Sequence, residues 1–258
     1  MNHLSILSDL IKIAEKASEK VLEIYRTDFT VEFKEDESPL TTADIASHNI
    51  IEEGLRELTP DIPILSEESA NAPWSERQSW TRFWLVDPID GTKEFTHRRD
   101  EFTVNIALIE NGSPVIGVVF APALGEAFWG VRGGGAWKRD KDGKEQPISV
   151  SGPLPKKRVV ASKSHLNEET RDFIEKLGPH KLIKAGSSLK FCRIAEGIAD
   201  IYPRLGPTCE WDTGAAHAVL VAAGGTVKTL DGKPLGYGKR DLLNPYFIAA
   251  SYPYSLHP

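Results

Sequence analysis

The chain has 258 residues, 40% of them hydrophobic and 26% charged, an ordinary globular composition with enough apolar residues for a sizeable core. A net charge of −6 argues against a nucleic-acid polymer as partner, since phosphate backbones call for clustered Lys and Arg; a small phosphorylated ligand held by metals or a basic pocket stays open. Cys192 and Cys209 are too few for a disulfide framework and lack the C-x-x-C spacing of a zinc site, so they read as buried thiols in a reducing cytosol.

From Leu4, apolar residues recur at helical spacing (Leu7, Leu10, Ala14, Ala17, Val21, Tyr25), with Lys12, Glu15, Lys16 and Glu19 on the other face. This predicts an amphipathic helix of about six turns. No signal-peptide pattern precedes it, and no stretch approaches the roughly 18–20 apolar residues that span a bilayer. The expected compartment is the cytoplasm; peripheral membrane attachment would leave no sequence mark, and no basic amphipathic helix favours it. Val31–Lys34 alternates like a short strand. A second helix should start near Thr41–Asp44 and end at Pro60. A strand at Ile62–Leu65 stops at Glu67-Glu68, residues 70–80 read as a surface loop, and Phe83–Val86 reads as a fully buried strand.

Strands at Phe102–Glu110 and Pro114–Phe120 flank Asn111-Gly112, a strong hairpin signal. Another strand, near Glu126–Val131, meets a turn at Gly133–Gly135. Residues 138–157 are rich in Lys, Asp, Gly and Pro, including Pro153 and Pro155, and a boundary is expected near 150–156. Beyond it, strands (158–161, 181–184, 199–203, 226–228, 246–250) are interspersed with helices (168–177, 189–196, 212–223). The expected fold is therefore mixed α+β and α/β. An N-terminal α+β domain, 1–152, has a largely antiparallel sheet and carries most of the candidate ligands. A C-terminal α/β domain, 153–258, has a smaller sheet with helices.

The densest chemistry lies in Asp87-Pro88-Ile89-Asp90-Gly91-Thr92. A buried strand runs into an aspartate, a proline turn, a second aspartate and a glycine. Such a turn can aim both carboxylates and the Ile89 carbonyl at one point, with Thr92 at the start of a helical turn whose amides favour phosphate. Glu67 joins them if its strand lies alongside, and Asp212 opens a helix after Trp211. Two carboxylates about 4 Å apart repel by about 4 kcal/mol at an effective dielectric near 20. Four in one cleft therefore need cations, and all-oxygen ligation suits Mg²⁺. A pair of such ions would form a clamp for phosphoryl transfer to water. Each segment alone has a plainer reading: a turn, a solvated acidic loop, an N-cap.

At these residues the chain resembles the inositol monophosphatase-like superfamily of Mg²⁺-dependent, lithium-sensitive phosphatases. The likeness rests on Ser66-Glu67-Glu68, Trp84-Leu85-Val86-Asp87-Pro88-Ile89-Asp90-Gly91-Thr92 and Glu210-Trp211-Asp212-Thr213-Gly214, in that order across nearly the whole chain. Lys93-Glu94-Phe95, Glu101–Ile109, Gly186–Cys192 and Tyr202-Pro203-Arg204 are similar to its CysQ-type 3′(2′),5′-bisphosphate nucleotidase branch. The resemblance implies a layered αβαβα sandwich. It also implies removal of the 3′-phosphate of adenosine 3′,5′-bisphosphate, a by-product of sulfate activation, giving AMP and phosphate. Two Mg²⁺ ions are implied, held by Glu67, Asp87 and the Ile89 carbonyl, and by Asp87, Asp90 and Asp212; a third, weaker one near Glu67 is allowed. Thr92 and Asp44 would orient or deprotonate the attacking water, with Glu67 counted among the catalytic groups. Gly91 and Thr92 amides would bind the scissile phosphate.

The rest of the substrate needs a site in the second half. Ser187 and Ser188 with Lys190 at a helix start, His165 and Arg204 are the candidates, with Asp212 also facing substrate. Their plainer readings are a capping pair, a solvated lysine, a loop histidine and a surface arginine. Gly214 stands where the branch often has alanine, with little effect expected beyond a lower helix propensity. No Cys nucleophile motif, H-E-x-x-H or G-x-S-x-G is present, so direct attack by water without a phosphoenzyme is expected. The rival enzyme is an inositol monophosphatase or broader sugar-phosphate phosphatase, which needs no second anion site. The rival class is a non-catalytic Mg²⁺- or nucleotide-binding module, which needs no Thr92–Asp44 pair. A homodimer is compatible with the sequence, which carries no signal that decides it.

Overall fold

Amphipathicity sets the first layer. Helix α1 (His3–Tyr25) buries Ile6, Leu10, Ala14, Ala17, Val21 and Tyr25, a stripe at helical period. An antiparallel ribbon of β1 (Val31–Phe33) and β2 (Pro39–Thr41) leads into α2 (Thr42–Leu58). Thr41 is the N-cap of α2, and Asp44 completes a capping box with it. The computed structural model describes residues 3–29, 31–33, 39–69, 72–162 and 167–252.

Next comes a seven-stranded sheet whose strands lie in chain order: β3 (Ile64–Ser66), β4 (Arg82–Asp90), β5 (Thr103–Glu110), β6 (Ser113–Ala121), β7 (Glu126–Val131), β8 (Gly135–Arg139) and β9 (Glu145–Ile148). Only the β3–β4 pair is parallel; the others are antiparallel. Two short helices interrupt it, α3 (Trp74–Arg77) and α4 (Thr92–Thr96). The second half contributes β10 (Lys157–Ala161), α5 (Glu168–Lys176), β11 (His180–Lys184), α6 (Leu189–Ala195), β12 (Ile201–Arg204), α7 (Gly214–Ala222), β13 (Thr226–Thr229) and β14 (Phe247–Ala250). Its five strands run in the order β11-β10-β12-β14-β13. The first three are parallel, and β14 is antiparallel to both its neighbours.

The period of two along the strands builds the layers. On β4, Trp84 and Val86 face α1 and α2, whereas Phe83 and Leu85 face α6 and α7. On the smaller sheet, Val160, Tyr202 and Phe247 join the α6–α7 side, and Val159, Ile201 and Ile248 pack with Ile174 of α5. The result is the expected αβαβα sandwich. Being covered on two sides by sheets, α7 buries every residue from Gly214 to Leu220. The chain passes from the larger sheet to the smaller between Ile148 and Lys157, the stretch holding the expected division at 152/153, and the middle helices pack both sheets into one cluster.

Several expectations change. Residues 138–157 hold the end of β8 and all of β9, because β7 offers an open edge for a polar hairpin that burial patterns do not reveal. The loop at 70–80 contains α3, whose buried Arg77 donates to the carbonyls of Ala72, Lys239 and Arg240. Asp212 does not open a helix; it lies in a turn before α7, which starts at Gly214. Cys192 is buried but Cys209 only half-buried, and both are free thiols. An added Cβ at Gly214 would stand 2.8 Å from Leu85 Cδ2, so this glycine answers to packing as well as to helix propensity.

Close approach of α7 to the larger sheet depends on glycine. A Cβ on Gly117 would lie 2.0 Å from the Ala215 carbonyl oxygen and 2.8 Å from Ala218 Cβ. Gly117→Ala should therefore destabilise the protein by about 1–3 kcal/mol, read as a lowered Tm in thermal unfolding. An unchanged Tm would contradict this packing.

Candidate active site

Pairing of β3 with β4 places Ser66 opposite Val86, so Glu67, the next residue, arrives beside Asp87. In a regular strand Asp87 and Asp90 would point to opposite faces. The register with β5 shifts between them: Asp87 faces Asn105 and Asp90 faces Thr103, three steps against two. This bulge lets both side chains face one cleft. The expected proline turn is therefore a bulged continuation of the strand, held by a Ser47 Oγ hydrogen bond to the Pro88 carbonyl at 2.9 Å. The chain then reverses at Gly91, whose left-handed φ of 89° caps α4.

The cleft has a volume of about 410 Å³, and its walls include Glu67, Asp87, Ile89, Asp90, Gly91, Thr92, Ser187, Lys190, Arg204 and Asp212. Asp44 sits beneath it, only 2% exposed. Its Oδ2 accepts from Thr41 N at 2.7 Å and Thr41 Oγ1 at 2.6 Å, leaving Oδ1 turned to Thr92 Oγ1 at 3.4 Å. The single Thr92 proton is shared between that oxygen and the Ile89 carbonyl at 3.2 Å. Asp212 Oδ2 accepts from Cys209 N at 2.8 Å.

Electrostatics follow from burial. Asp87 is 1% exposed, and its carboxyl is pushed well above the usual range by desolvation and then by Glu67, Asp90 and Asp212. Burial also pushes Asp212 up to about 8, reinforced by the Asp90 charge. Asp90 rises to about 6 through burial, against the opposing pull of Lys190 and the Ser188 amide. Asp44 rises to about 6 because burial outweighs its Thr41 hydrogen bonds. Lys190, 6% exposed, is brought down to about 8 by burial although Asp90 holds it up.

Divalent cations fit this donor set. The buried Oδ1 of Asp87 has no hydrogen-bond donor, and the cluster offers only oxygen ligands, the preference of hard cations such as Mg²⁺. Among the described residues, no three His, Cys, Asp or Glu side chains are drawn into a closed ligand group. The fit thus rests on donor chemistry and unmet charge.

The basic side differs from expectation. Ser188 Oγ donates to Asn105 Oδ1 at 2.8 Å and lies 2.9 Å from Thr103 Oγ1; Ser187 Oγ donates toward the carbonyls of Asp90 and Glu101. Neither hydroxyl is aimed at a ligand, because both join the two halves of the chain. Lys190 lies in α6 under the cleft, 5.5 Å from the Tyr202 ring centre, and is not a solvated surface lysine. Arg204 is the last residue of β12; its Nη2 donates to the Pro207 carbonyl at 2.7 Å, and its buried Nε has no acceptor. His165 lies outside the described residues. Sequence reasoning missed Glu101, whose Oε2 accepts from Gly186 N at 2.8 Å. An acidic residue ahead of a strand gives no signal of a partner 85 positions away.

The family-wide sequence pattern of the inositol monophosphatase family matches residues 4–258. The chain is similar to the 3′(2′),5′-bisphosphate nucleotidase CysQ of Salmonella typhimurium, at 49% identity over 96% of this chain and 100% of that protein. Its counterpart from Escherichia coli is 47% identical over the same shares. The fold is similar to the crystal structure of CysQ from Bacteroides thetaiotaomicron, with a TM-score of 0.87 at 42% identity, covering 97% of this chain and 99% of that one. It is also similar to an inositol monophosphatase from Anabaena, with a TM-score of 0.77 at 27% identity, covering 97% and 92%. With motif order, layer order and full-length identity in agreement, the chain belongs to the inositol monophosphatase family.

Proposed function

We propose that this chain is a Mg²⁺-dependent, lithium-sensitive 3′(2′),5′-bisphosphate nucleotidase. It would hydrolyse the 3′-phosphate of adenosine 3′,5′-bisphosphate to AMP and phosphate, recycling a by-product of sulfur assimilation. The observation that carries the reading is a single cleft lined both by Glu67, Asp87, Asp90 and Asp212 and by Lys190 and Arg204. Full-length similarity to CysQ nucleotidases supports it. A phosphate held at the carboxylates through cations leaves the charges of Lys190 and Arg204 to meet a second anion. An inositol monophosphate has no second anion to offer them; a nucleotide bisphosphate does.

In this reading Glu67, Asp87 and the Ile89 carbonyl would hold one cation, and Asp87, Asp90 and Asp212 would hold another, a third and weaker one being allowed near Glu67. When bound, Mg²⁺ supplies the positive charge that lowers the pKa of water and steadies the leaving oxygen. Residues 1–152 carry the phosphate side, and residues 153–258 carry Asp212 and the nucleotide side.

Thr92 and Asp44 handle the proton. When its shared proton goes to Asp44 Oδ1 rather than to the Ile89 carbonyl, the Thr92 hydroxyl can turn a lone pair toward the water that attacks phosphorus. A carboxyl with a pKa near 6 is poised to accept a proton at neutral pH. The left-handed turn at Gly91 presents the Gly91 and Thr92 amides to phosphate oxygens. Cys192 is buried and its thiol is pushed up by desolvation, which makes it a poor nucleophile. The Cys209 thiol is raised by burial as well, and in this reading the phosphoryl group passes directly to water. The chain contains no helix long and apolar enough to cross a membrane among its described residues.

Phosphate release should favour adenosine 3′,5′-bisphosphate over inositol 1-phosphate, require Mg²⁺ and be suppressed by Li⁺. Asp90→Asn should lower kcat by about 10²-fold or more, and Arg204→Ala should raise KM for the nucleotide alone by about 10-fold. A preference for inositol 1-phosphate would overturn the assignment of Lys190 and Arg204 to a second anion. Turnover of neither would favour a binding module.

Raised carboxyl pKa values mean that the folded state keeps protons the unfolded chain releases. Their contribution to stability is full below about pH 4 and is lost as pH rises through about 6 to about 8. Cations replace those protons, so the Tm gain on adding Mg²⁺ should be larger at about pH 8 than at about pH 5. Asp212→Asn should raise the metal-free Tm at the higher pH and shrink the Mg²⁺ gain. A Mg²⁺ gain independent of pH and of Asp212 would contradict the cation site.

A further inference from the structure

The turn at residues 186–188 belongs to the second half of the chain, yet its polar groups point into the first. Gly186 N donates to Glu101 Oε2 at 2.8 Å. Ser187 Oγ lies 2.9 Å from the Asp90 carbonyl and 2.8 Å from the Glu101 carbonyl, with one proton to share between them. The Ser188 amide donates to the Asp90 carboxylate, and Ser188 Oγ donates to Asn105 Oδ1 at 2.8 Å. Asp90 is thus held at both its main chain and its side chain by consecutive residues of one turn.

The conformation needed for this grip is costly. Ser187 has a φ of +46°, the left-handed region that side-chain-bearing residues rarely adopt. Such strain persists where surrounding structure over-determines it, and it clusters at functional sites. Contact across the turn is also close: a Cβ on Gly91 would lie 2.2 Å from Ser187 Oγ. The hydroxyl therefore occupies the space directly against the Asp90–Gly91 peptide. Both its acceptors are backbone carbonyls of the first half, which leaves it no proton for a ligand.

We propose that Ser187 is a positioning residue of the reaction rather than a substrate-binding one. Its hydroxyl fixes the main chain at Asp90, and with it the aim of the Asp90 carboxylate and of the Gly91 and Thr92 amides. The proposal rests on the nucleotidase reading only for its turnover readout. It predicts a role for second-half residues in the geometry of the phosphate side, across the division between the two sheets. A misplacement of about 1 Å at a reacting centre can cost about 10²-fold in rate, which sets the scale of the effect.

The test compares Ser187→Ala and Ser187→Gly in the full chain. Alanine removes the hydroxyl and keeps the left-handed strain; glycine removes both. Each variant should lose about 10- to 100-fold in kcat on adenosine 3′,5′-bisphosphate while KM stays within about 2-fold of wild type. The Mg²⁺ concentration giving half the maximal Tm gain, read without substrate, should rise by about 5-fold or more in both. Ser187→Gly should unfold at a higher temperature than Ser187→Ala and yet lose as much kcat. A raised KM with unchanged kcat and unchanged Mg²⁺ response would instead make Ser187 a substrate ligand and overturn the proposal. Activity that recovers with Tm in the glycine variant would make the role purely structural and also overturn it. Should the wild type turn over no nucleotide, the nucleotidase reading fails by itself, and the Mg²⁺ response of the two variants still decides the role of Ser187.

Discussion

Carboxylates that share a desolvated cleft repel one another, and that repulsion governs the rest of this structure. Burial chiefly holds Asp87, Asp90 and Asp212 above the ordinary carboxylate range; Glu67, Asp90 and Asp212 push Asp87 further, Asp90 pushes Asp212, and Glu94 and Glu67 push Asp90 against the pull of Lys190. Such an arrangement destabilises a folded protein unless protons or cations occupy it. The fold supplies the rigidity to hold it. Two sheets enclose α6 and α7, and the layer of α1 and α2 closes the outer face of the larger sheet. β4 sits next to the edge strand of that sheet, where a bulge can turn two aspartates to one side without unpairing the core.

The cleft lies where the two halves of the chain meet, and its lining residues come from both. Glu67, Asp87 and Asp90 come with the larger sheet, Asp212 with the turn before α7, and Lys190 and Arg204 with the smaller sheet and its helix. Buried polar networks brace the join. Below Asp212, the fully buried Glu210 accepts from the amides of Gly238 and Lys239, and Arg77 holds the carbonyls of Lys239 and Arg240 from the far side of that turn. Below Asp90, the turn at 186–188 does the equivalent. Asp212 and Asp90 are thus each braced by residues distant in the chain, in keeping with the precision that phosphoryl transfer demands.

Much of this was legible in the sequence because the signals are local. The continuous apolar run before Asp87, the Asn111-Gly112 hairpin and the helical stripe of α1 each follow from a period that burial imposes. The Asp87–Thr92 segment and its partners at Glu67 and Asp212 were readable as one constellation only through their order along the chain and the resemblance it carries. What was not legible depends on contacts between distant residues. The β4 bulge is a property of its register with β5, and the β8–β9 hairpin is polar and pairs at an open edge. Ser187 and Ser188 look like an anion-binding pair at a helix start, but their hydroxyl directions are set by Asp90, Glu101 and Asn105, about 80 to 100 residues away along the chain. Asp212 resembles a helix cap, yet its carboxylate folds back on the Cys209 amide.

In the proposed function the raised carboxyls form a divalent-cation site held partly protonated until the ion arrives. Calorimetric titration of Mg²⁺ at about pH 7, in two buffers of different ionisation enthalpy, counts the protons released on binding. Asp212, raised to about 8, should by itself release about one proton per protein at that pH, and Asp212→Asn should reduce that number. Tight Mg²⁺ binding with no proton release, unchanged by Asp212→Asn, would place the cation elsewhere and contradict the account.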